Sequence, residues 1–151
     1  MSISRFNIRV YGIMVNEEDN ILLADEIIKG RKITKFPGGG LEFGEGKHDC
    51  LKRECKEELG IDVAILSHFY TTDFFQPSAF DDDNQIISIY YRIYNPMWHL
   101  IAVKKKRFDF DEPSEGAFVF RWKPLDKLSE EDLTFDIDKK VAKMLRDELK
   151  V

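Results

Sequence analysis

Apolar and polar residues alternate along several segments of the chain, which is the pattern of β-strands. In residues 85–94 both faces of the alternation are rich in apolar side chains, which predicts a central strand that is covered on both sides. Residues 16–20 have the composition of a turn, so the first two strands should form a hairpin. The strands predicted in this way are residues 6–15, 21–24, 63–71, 85–94 and 117–122.

The segments between these strands carry weaker patterns. Residues 27–35 are predicted to be a connector that becomes extended only near its end, because a residue before Pro37 avoids the helical region. Residues 73–84 combine aspartates with aromatic side chains and are expected to form a loop. Residues 95–116 give no clear pattern, although the apolar run 100–103 could extend a sheet.

Apolar residues that recur every three or four positions predict helices at residues 47–59 and 136–150. In the first helix Leu51, Cys55 and Leu59 form the apolar face, and Gly60 stands where a left-handed cap is expected. A shorter helix is expected within residues 125–133. Helices placed between and after strands predict an α/β fold whose sheet is covered on both faces.

The first helix also carries Glu54, Glu57 and Glu58 at positions i, i+3 and i+4, which places their carboxylates on one helix face. Stacked carboxylates repel one another unless a cation neutralises them, and oxygen ligands suit Mg²⁺ or Mn²⁺. The alternative for a glutamate-rich helix is a solvated face with ion pairs to Lys52 and Lys56. The spacing therefore indicates either a metal site or an ion-paired surface.

The glycine-rich entry and this helix together fit a 23-residue pattern, G-x5-E-x7-R-E-U-x-E-E-x-G-U, in which U is apolar. The segment resembles the box of the Nudix hydrolases, and Cys55 fills an apolar position because a buried thiol behaves as a small hydrophobe. The resemblance implies a Nudix-type α/β/α sandwich with a mixed sheet, formed by one domain over residues 1–151. The matching positions are Gly39, Glu45, Arg53, Glu54, Cys55, Glu57, Glu58, Gly60 and Ile61.

The resemblance also implies roles for individual residues. Arg53 matches the arginine that pairs with Glu45 and orients the metal-binding glutamates, so we count Arg53 among the catalytic residues. The ligands of Mg²⁺ or Mn²⁺ would be Glu54, Glu57, Glu58 and the backbone carbonyl of Gly39.

Hydrolysis needs a base that activates water, and the box glutamates are largely committed to metal. In the Nudix family the additional carboxylate often comes from a loop before the last strand of the sheet. Glu115 matches that arrangement best, and its alternative is a solvated loop acid. Glu54 is the next candidate for the base.

The candidate substrate-binding residues lie in the predicted loop after the box. Phe74 and Phe75, with Phe80 beside them, could stack on a nucleobase, although aromatic side chains are more often part of a core. Pro77 stands at a distance from the box that resembles ADP-ribose pyrophosphatases. The basic run 104–107 is either a solvated turn or a phosphate contact.

Composition narrows the class of partner and the compartment. A net charge of −5 and a pI near 5.3 argue against a nucleic-acid polymer, because binding to phosphate backbones needs a clustered positive field. No signal peptide and no membrane-length apolar run is evident, which predicts a cytoplasmic protein without membrane contact. Cys50 and Cys55 are too far apart on a helix to bridge each other, so both should be reduced thiols.

The function implied by the resemblance is metal-dependent hydrolysis of a nucleoside diphosphate linked to another moiety. Such substrates include nucleotide sugars, ADP-ribose-like compounds and nucleoside triphosphates. The alternative is a Nudix-fold module that binds a nucleotide or regulates another process with little catalysis. The expected partner is a small nucleotide, and the assembly could be a homodimer.

Overall fold

The computed structural model describes residues 2–150, which form seven β-strands and two α-helices. The strands are β1 (Arg5–Met14), β2 (Asn20–Ile28), β3 (Arg31–Lys35), β4 (Gly38–Gly40), β5 (Ala64–Thr71), β6 (Asn84–Tyr94) and β7 (Phe118–Pro124). The helices are α1 (Lys47–Leu59) and α2 (Asp136–Glu148).

The strands are divided between two sheets. The first has the order β4-β1-β6-β5, in which β1 and β6 are parallel and the outer pairs are antiparallel. The second is antiparallel with the order β3-β2-β7. The predicted mixed pairing is therefore confirmed, and β6 lies between two strands as the two apolar faces of its sequence predict.

The two helices belong to separate hydrophobic clusters on opposite faces of the strands. In β1, Val10 and Met14 pack in the cluster of α1, whereas Tyr11 and Ile13 pack in the cluster of α2. Successive strand residues point to opposite faces, so one strand contributes to both clusters. The predicted α/β/α arrangement is confirmed. Neither helix of residues 2–150 has the length and the apolar run that crossing a membrane requires.

The prediction of a connector over residues 27–35 is wrong, because β2 continues to Ile28 and β3 begins at Arg31. The chain reverses at Lys29 and Gly30, whose φ angles are 49° and 76°. Positive φ at both residues of a two-residue turn suits the right-handed twist of a hairpin. The second sheet is therefore built on a hairpin that the sequence pattern did not indicate.

The expected hairpin of the first two strands is wrong, because β1 and β2 lie in different sheets and are joined by an isolated bridge between Val15 and Ile21. The remaining expectations about local structure are met in part. Residues 125–133 contain two short 3-10 helices, Leu125–Lys127 and Glu130–Asp132, in place of one short helix. Within residues 100–103, Val103 forms an isolated bridge with Phe120 of β7. Cys50 and Cys55 are both buried and free, as their spacing predicts.

Two side chains of the basic run 104–107 are held by contacts: Lys104 pairs with Asp111 at 2.6 Å, and Arg107 contacts three other residues. Its guanidinium donates hydrogen bonds to the Thr34 hydroxyl at 3.0 Å and to the carbonyls of Glu131 and Asp132 at 3.2 and 3.1 Å. Bonds to backbone carbonyls at the end of a short helix fasten this irregular segment to the domain. The donors of Arg107 are therefore used within the domain, whereas Lys105 and Lys106 are exposed, as in a solvated turn.

Candidate active site

The glycines of β4 bring the backbone close to a carboxylate of α1. A Cβ atom built on Gly39 would come within 2.6 Å of the carboxylate of Glu54. A contact of that length is not tolerated, so the absence of a side chain at Gly39 lets this carboxylate lie against the backbone. The predicted proximity of Gly39 and Glu54 is present in the structure.

The acidic face of α1 is held in place by burial of its opposite face, on which Leu51 and Cys55 are at most 1% exposed. The helix ends at Gly60, which has a φ of 74° and donates its N–H to the carbonyl of Lys56. This left-handed cap satisfies a carbonyl in the last turn of the helix. The glutamates of the box therefore lie on a helix that is anchored by its buried face and ended by the cap at Gly60.

Arg53 connects the loop before α1 to the glutamates on it. Its guanidinium donates two hydrogen bonds to Glu45, at 3.0 and 2.8 Å, and one to Glu54 at 3.1 Å. A longer contact of 3.4 Å reaches Glu57. Hydrogen bonds from Arg53 and the backbone of Glu42 lower the pKa of Glu45 to about 2. The expected contact between Arg53 and Glu45 is therefore present, and Arg53 also contacts Glu54 and Glu57 on the helix.

Carboxylates from two different elements influence one another at this face of α1. Burial, together with the charges of Glu54 and Glu26, raises the pKa of Glu58 to about 7 against the opposing charge of Lys35. A buried carboxyl group beside other carboxylates keeps its proton unless a cation offsets the repulsion. The site thus carries an excess of negative charge that its own cations only partly balance.

Glu57 is placed differently from its neighbours, since its side chain is 59% exposed whereas that of Glu54 is 15% exposed. Within residues 2–150 no three acidic, histidine or cysteine side chains converge closely enough to hold one ion as they stand. The donor set still suits Mg²⁺ or Mn²⁺, because it is made of oxygen ligands with unbalanced negative charge. The residues fit a divalent ion, and a complete ligand set requires side-chain movement.

Glu26 and Lys35 belong to this site and were missed by the sequence analysis. Glu26 follows Leu22 and Ala24 on the α1-facing side of β2, so extending the predicted strand beyond Ala24 would have found it. The Lys35 ammonium is 3.5 Å from a Glu26 carboxylate oxygen and donates to the carbonyl of Gly38 at 3.2 Å. The signal in the sequence that could have identified Lys35 is its position directly before the glycine-rich segment.

A cavity of about 420 Å³ opens beside this cluster. Its polar lining includes Arg9, Lys35, Ser88 and Tyr90, and cavities that hold small molecules have volumes in this range. Arg9 is tied to the wall by a 2.6 Å hydrogen bond from its Nε atom to the Tyr11 hydroxyl. The cavity therefore places two cationic side chains next to the acidic cluster.

Asp138 in the first turn of α2 is a buried acid in the lining of the cavity. Its carboxylate accepts a hydrogen bond from the hydroxyl of Tyr90. Burial raises the pKa of Asp138 to about 6, against the opposing effects of this hydrogen bond and of the charges on Lys35 and Arg9. Asp138 is not evident from the sequence, because its position on an amphipathic helix gives no sign that it is enclosed.

The candidate substrate-binding residues are separated by the structure. Pro77 lines the cavity, but Phe74 and Phe75 do not. The ring of Phe74 lies 5.2 Å from the ammonium of Lys140 on α2. Phe80 does line the cavity. Of the three phenylalanines considered in the sequence, Phe80 is therefore the one that lines the cavity, together with Tyr11, Tyr90 and Phe135.

Glu115 is not brought to the glutamates of the box. Its two carboxylate oxygens accept hydrogen bonds from the backbone N–H groups of Lys29 and Gly30, at 2.6 and 2.9 Å. These bonds lower the pKa of Glu115 and hold the turn between β2 and β3. These contacts commit Glu115 to the turn and disfavour the role of base, which stays a prediction, whereas Glu26 is a further carboxylate beside Glu58.

The chain is similar to known proteins in sequence and in fold. The family model described as the NUDIX domain matches residues 5–145. An 8-oxo-dGTP diphosphatase of Haemophilus influenzae is 36% identical over 87 residues, which are 56% of this chain and 59% of that protein. Another, of Proteus vulgaris, is 37% identical over 54 residues, which are 34% of this chain and 48% of that protein. The matches thus span about half the length of these curated relatives.

Solved structures resemble the whole fold at low sequence identity. A MutT protein from Methanosarcina mazei has a TM-score of 0.69 at 18% identity, with 98% of each chain covered. The ORF135 protein of E. coli has a TM-score of 0.63 at 17% identity, with 97% of this chain and 92% of that chain covered. An ADP-ribose pyrophosphatase from Streptococcus suis has a TM-score of 0.54 at 19% identity, covering 95% and 91%. These likenesses establish the fold.

Proposed function

This chain belongs to the NUDIX family, and we propose that it is a metal-dependent pyrophosphohydrolase of nucleoside triphosphates. The observation that carries the proposal is the excess of carboxylates formed by Glu26, Glu54 and Glu58 beside a cavity that contains buried cations. Carboxylates that lack a counter-ion suit divalent metal, and cations in the cavity suit a phosphorylated ligand. The two features together match the cleavage of a phosphoanhydride.

Glu54, Glu57 and Glu58, with the carbonyl of Gly39, would hold Mg²⁺ or Mn²⁺. Such an ion, once bound, supplies positive charge for the phosphoryl oxygens and lowers the pKa of the attacking water. Arg53 holds the carboxylates of Glu54 and Glu57 on the same side of α1 through the contacts described above. We assign Arg53 a positioning role, because its donors are used by glutamates and by the Gly40 carbonyl.

The proton released by the attacking water needs a carboxylate of the same cluster. Glu54 and Glu26 are the candidates, because Glu115 is occupied by the backbone of the hairpin turn. Glu26 is the more adaptable of the two, since its side chain is 24% exposed and is held by one ion pair with Lys35. A carboxylate within reach of the water in the substrate complex is sufficient for this role.

The cavity would hold the nucleoside part of the substrate. Pro77 and Phe80 supply apolar surface, and Arg9 and Lys35 supply positive charge near the acidic cluster. The relatives from Haemophilus influenzae and Proteus vulgaris carry the name 8-oxo-dGTP diphosphatase, which supports a nucleoside triphosphate as the substrate class. The products would then be a nucleoside monophosphate and pyrophosphate.

The test is a panel of nucleoside triphosphates, including 8-oxo-dGTP, with ADP-ribose and a nucleotide sugar as contrasts, each incubated with Mg²⁺ in ¹⁸O-labelled water. We expect at least one triphosphate to yield a monophosphate and pyrophosphate, with ¹⁸O in one product. Hydrolysis of ADP-ribose alone would redirect the proposal to another substrate class. Tight binding of a nucleotide without any turnover would instead favour the binding-module alternative.

We also propose that the protein acts in the cytoplasm on a small nucleotide. Cys50 and Cys55 are buried free thiols, which suits a reducing compartment. A homodimer and a single domain over residues 1–151 stay predictions. Light scattering of the purified protein would decide between the monomer and the dimer.

A further inference from the structure

Lys35 is a buried lysine whose charge is shared between the acidic cluster and the cavity. Its side chain is 7% exposed, and its ammonium pairs with Glu26 at 3.5 Å and donates to the Gly38 carbonyl at 3.2 Å. The same ammonium lies 5.8 Å from the centre of the Tyr11 ring. Lysines are almost never buried without a partner, so these contacts keep the charged side chain inside.

The partners of Lys35 are the carboxylates that lack another cation. Glu54 is paired with Arg53 at 3.1 Å, whereas Glu26 is paired with Lys35. Glu58 makes no ion pair within 4.0 Å among residues 2–150, and Lys35 is the cation that acts on it most strongly. The positive charge of Lys35 therefore provides part of the neutralisation that a divalent ion would provide.

A divalent ion and Lys35 cannot both lie close to Glu26 without repelling each other. We propose that Lys35 is a placeholder cation, which pairs with Glu26 until metal and substrate bind and then contacts a phosphoryl oxygen of the substrate. The contact with substrate rests on the proposed function, whereas the competition with metal does not. Lys35 lines the cavity and also pairs with Glu26, so the same side chain borders both the acidic cluster and the space for a ligand.

This exchange would couple the two binding events. Before binding, the ammonium limits the repulsion between Glu26 and Glu58, which keeps the metal-free site stable. After binding, it would neutralise charge on the substrate rather than on the protein. A placeholder of this kind weakens the binding of metal alone and favours metal that arrives together with an anionic substrate.

The decisive measurement is Mn²⁺ binding in the absence of substrate, followed by electron paramagnetic resonance of the free ion. Lys35→Met should bind Mn²⁺ at least about fivefold more tightly than the wild type, since the repulsion of two charges about 4 Å apart is removed. Lys35→Arg should stay near the wild type. Lys143→Met is the matched control, because Lys143 pairs with Asp147 on the surface of α2 and tests a general effect of net charge. Unchanged or weaker Mn²⁺ binding by folded Lys35→Met would overturn the proposal.

A second variant keeps the proposal testable if Lys35→Met does not fold. Glu26→Gln removes the partner of Lys35, and it should weaken Mn²⁺ binding by at least about tenfold if Glu26 is released to the metal. Lys35→Met should tighten Mn²⁺ binding less when it is added to Glu26→Gln than when it is added to the wild type. Equal affinity of Glu26→Gln and the wild type would contradict the exchange.

The contact with substrate is tested separately with inorganic pyrophosphate in the presence of Mg²⁺, by calorimetry. Lys35→Met should bind pyrophosphate at least about tenfold more weakly than Lys35→Arg, because a charged partner of the anion is lost. If Mn²⁺ binding tightens and pyrophosphate binding is unchanged, the phosphoryl contact is wrong. Neither measurement depends on turnover, so a failure here is distinguishable from a failure of the proposed hydrolase activity.

Discussion

Gly39 lies so close to the carboxylate of Glu54 that a methyl group on Gly39 would approach it to 2.6 Å. The atoms in the way are at the end of a flexible side chain, so Gly39→Ala should fold while displacing the carboxylate. We expect Mn²⁺ affinity to fall by about 10- to 100-fold with little change in the melting temperature. At Gly40 the nearest atom is an Arg9 nitrogen at 3.6 Å, so Gly40→Ala should have little effect on either quantity. Equal losses of metal affinity in both variants would contradict this explanation.

Turnover should depend on a divalent metal ion. Among residues 2–150, Glu26 pairs with Lys35 and Glu54 pairs with Arg53, so the three carboxylates of Glu26, Glu54 and Glu58 share two cations. We expect excess EDTA to abolish phosphate-bond cleavage and added Mg²⁺ or Mn²⁺ to restore it. Undiminished turnover in EDTA would remove the mechanism.

Glu57→Gln and Glu58→Gln should each lower turnover by at least about 100-fold, because an amide keeps the shape of a ligand and removes its charge. The two variants should differ in stability without metal. Glu58→Gln relieves repulsion at a buried site and should raise the melting temperature, whereas Glu57 is 59% exposed and its replacement should change it little. Wild-type rates in folded variants would contradict the assignment of Glu57 and Glu58 as metal ligands.

Glu26→Gln should mainly affect turnover, whereas Glu115→Gln should mainly affect the melting temperature. Glu26 lies in the acidic cluster, so its replacement should lower turnover by at least about tenfold. Glu115 accepts hydrogen bonds from the turn at Lys29 and Gly30, so its replacement should lower the melting temperature and leave turnover near that of the wild type. A larger loss of turnover in Glu115→Gln than in Glu26→Gln would restore Glu115 as the base.

Asp138 should make the stability of the protein decrease as the pH rises. Burial raises its pKa from the ordinary 3.8 to about 6, so the folded state holds a proton that the unfolded state releases. Stability is unaffected by this group below about pH 4 and is lost progressively up to about pH 6, by about 3 kcal/mol in total. Asp138→Asn should therefore be more stable than the wild type at about pH 7.5 and similar near pH 4. Urea unfolding at both pH values tests this, and a constant difference would contradict it.

The sequence predicted best where the determining contacts are local. Residues 47–59 were predicted to be helical, and α1 has those bounds. The apolar spacing of Leu51, Cys55 and Leu59 and the cap at Gly60 all lie within one element, so no distant contact is needed to recognise them. The central position of β6 followed from its own alternation for the same reason.

Prediction from the sequence failed where a charged residue is buried against a partner that is distant in the sequence. The predicted second strand ended at Ala24 because Asp25 and Glu26 are acidic, yet β2 continues to Ile28. Asp25 is fully buried and accepts a 2.7 Å hydrogen bond from Arg121, which is 96 residues away in the sequence. Burial of a charge requires such a partner, and no pattern within the strand reveals it.

The sequence alone therefore determined the family resemblance and the acidic face of α1, which follow from spacing along one segment. It also determined the α/β/α layers, which follow from the order of the elements and from the resemblance. The tertiary structure alone decided which acids meet which partners. Glu26 lies near Glu58 because β2 and α1 pack in the same hydrophobic cluster. Glu115 is instead bound by the turn between β2 and β3. Spacing along the chain sets the face on which a side chain lies, whereas contacts between elements depend on how those faces are packed in three dimensions.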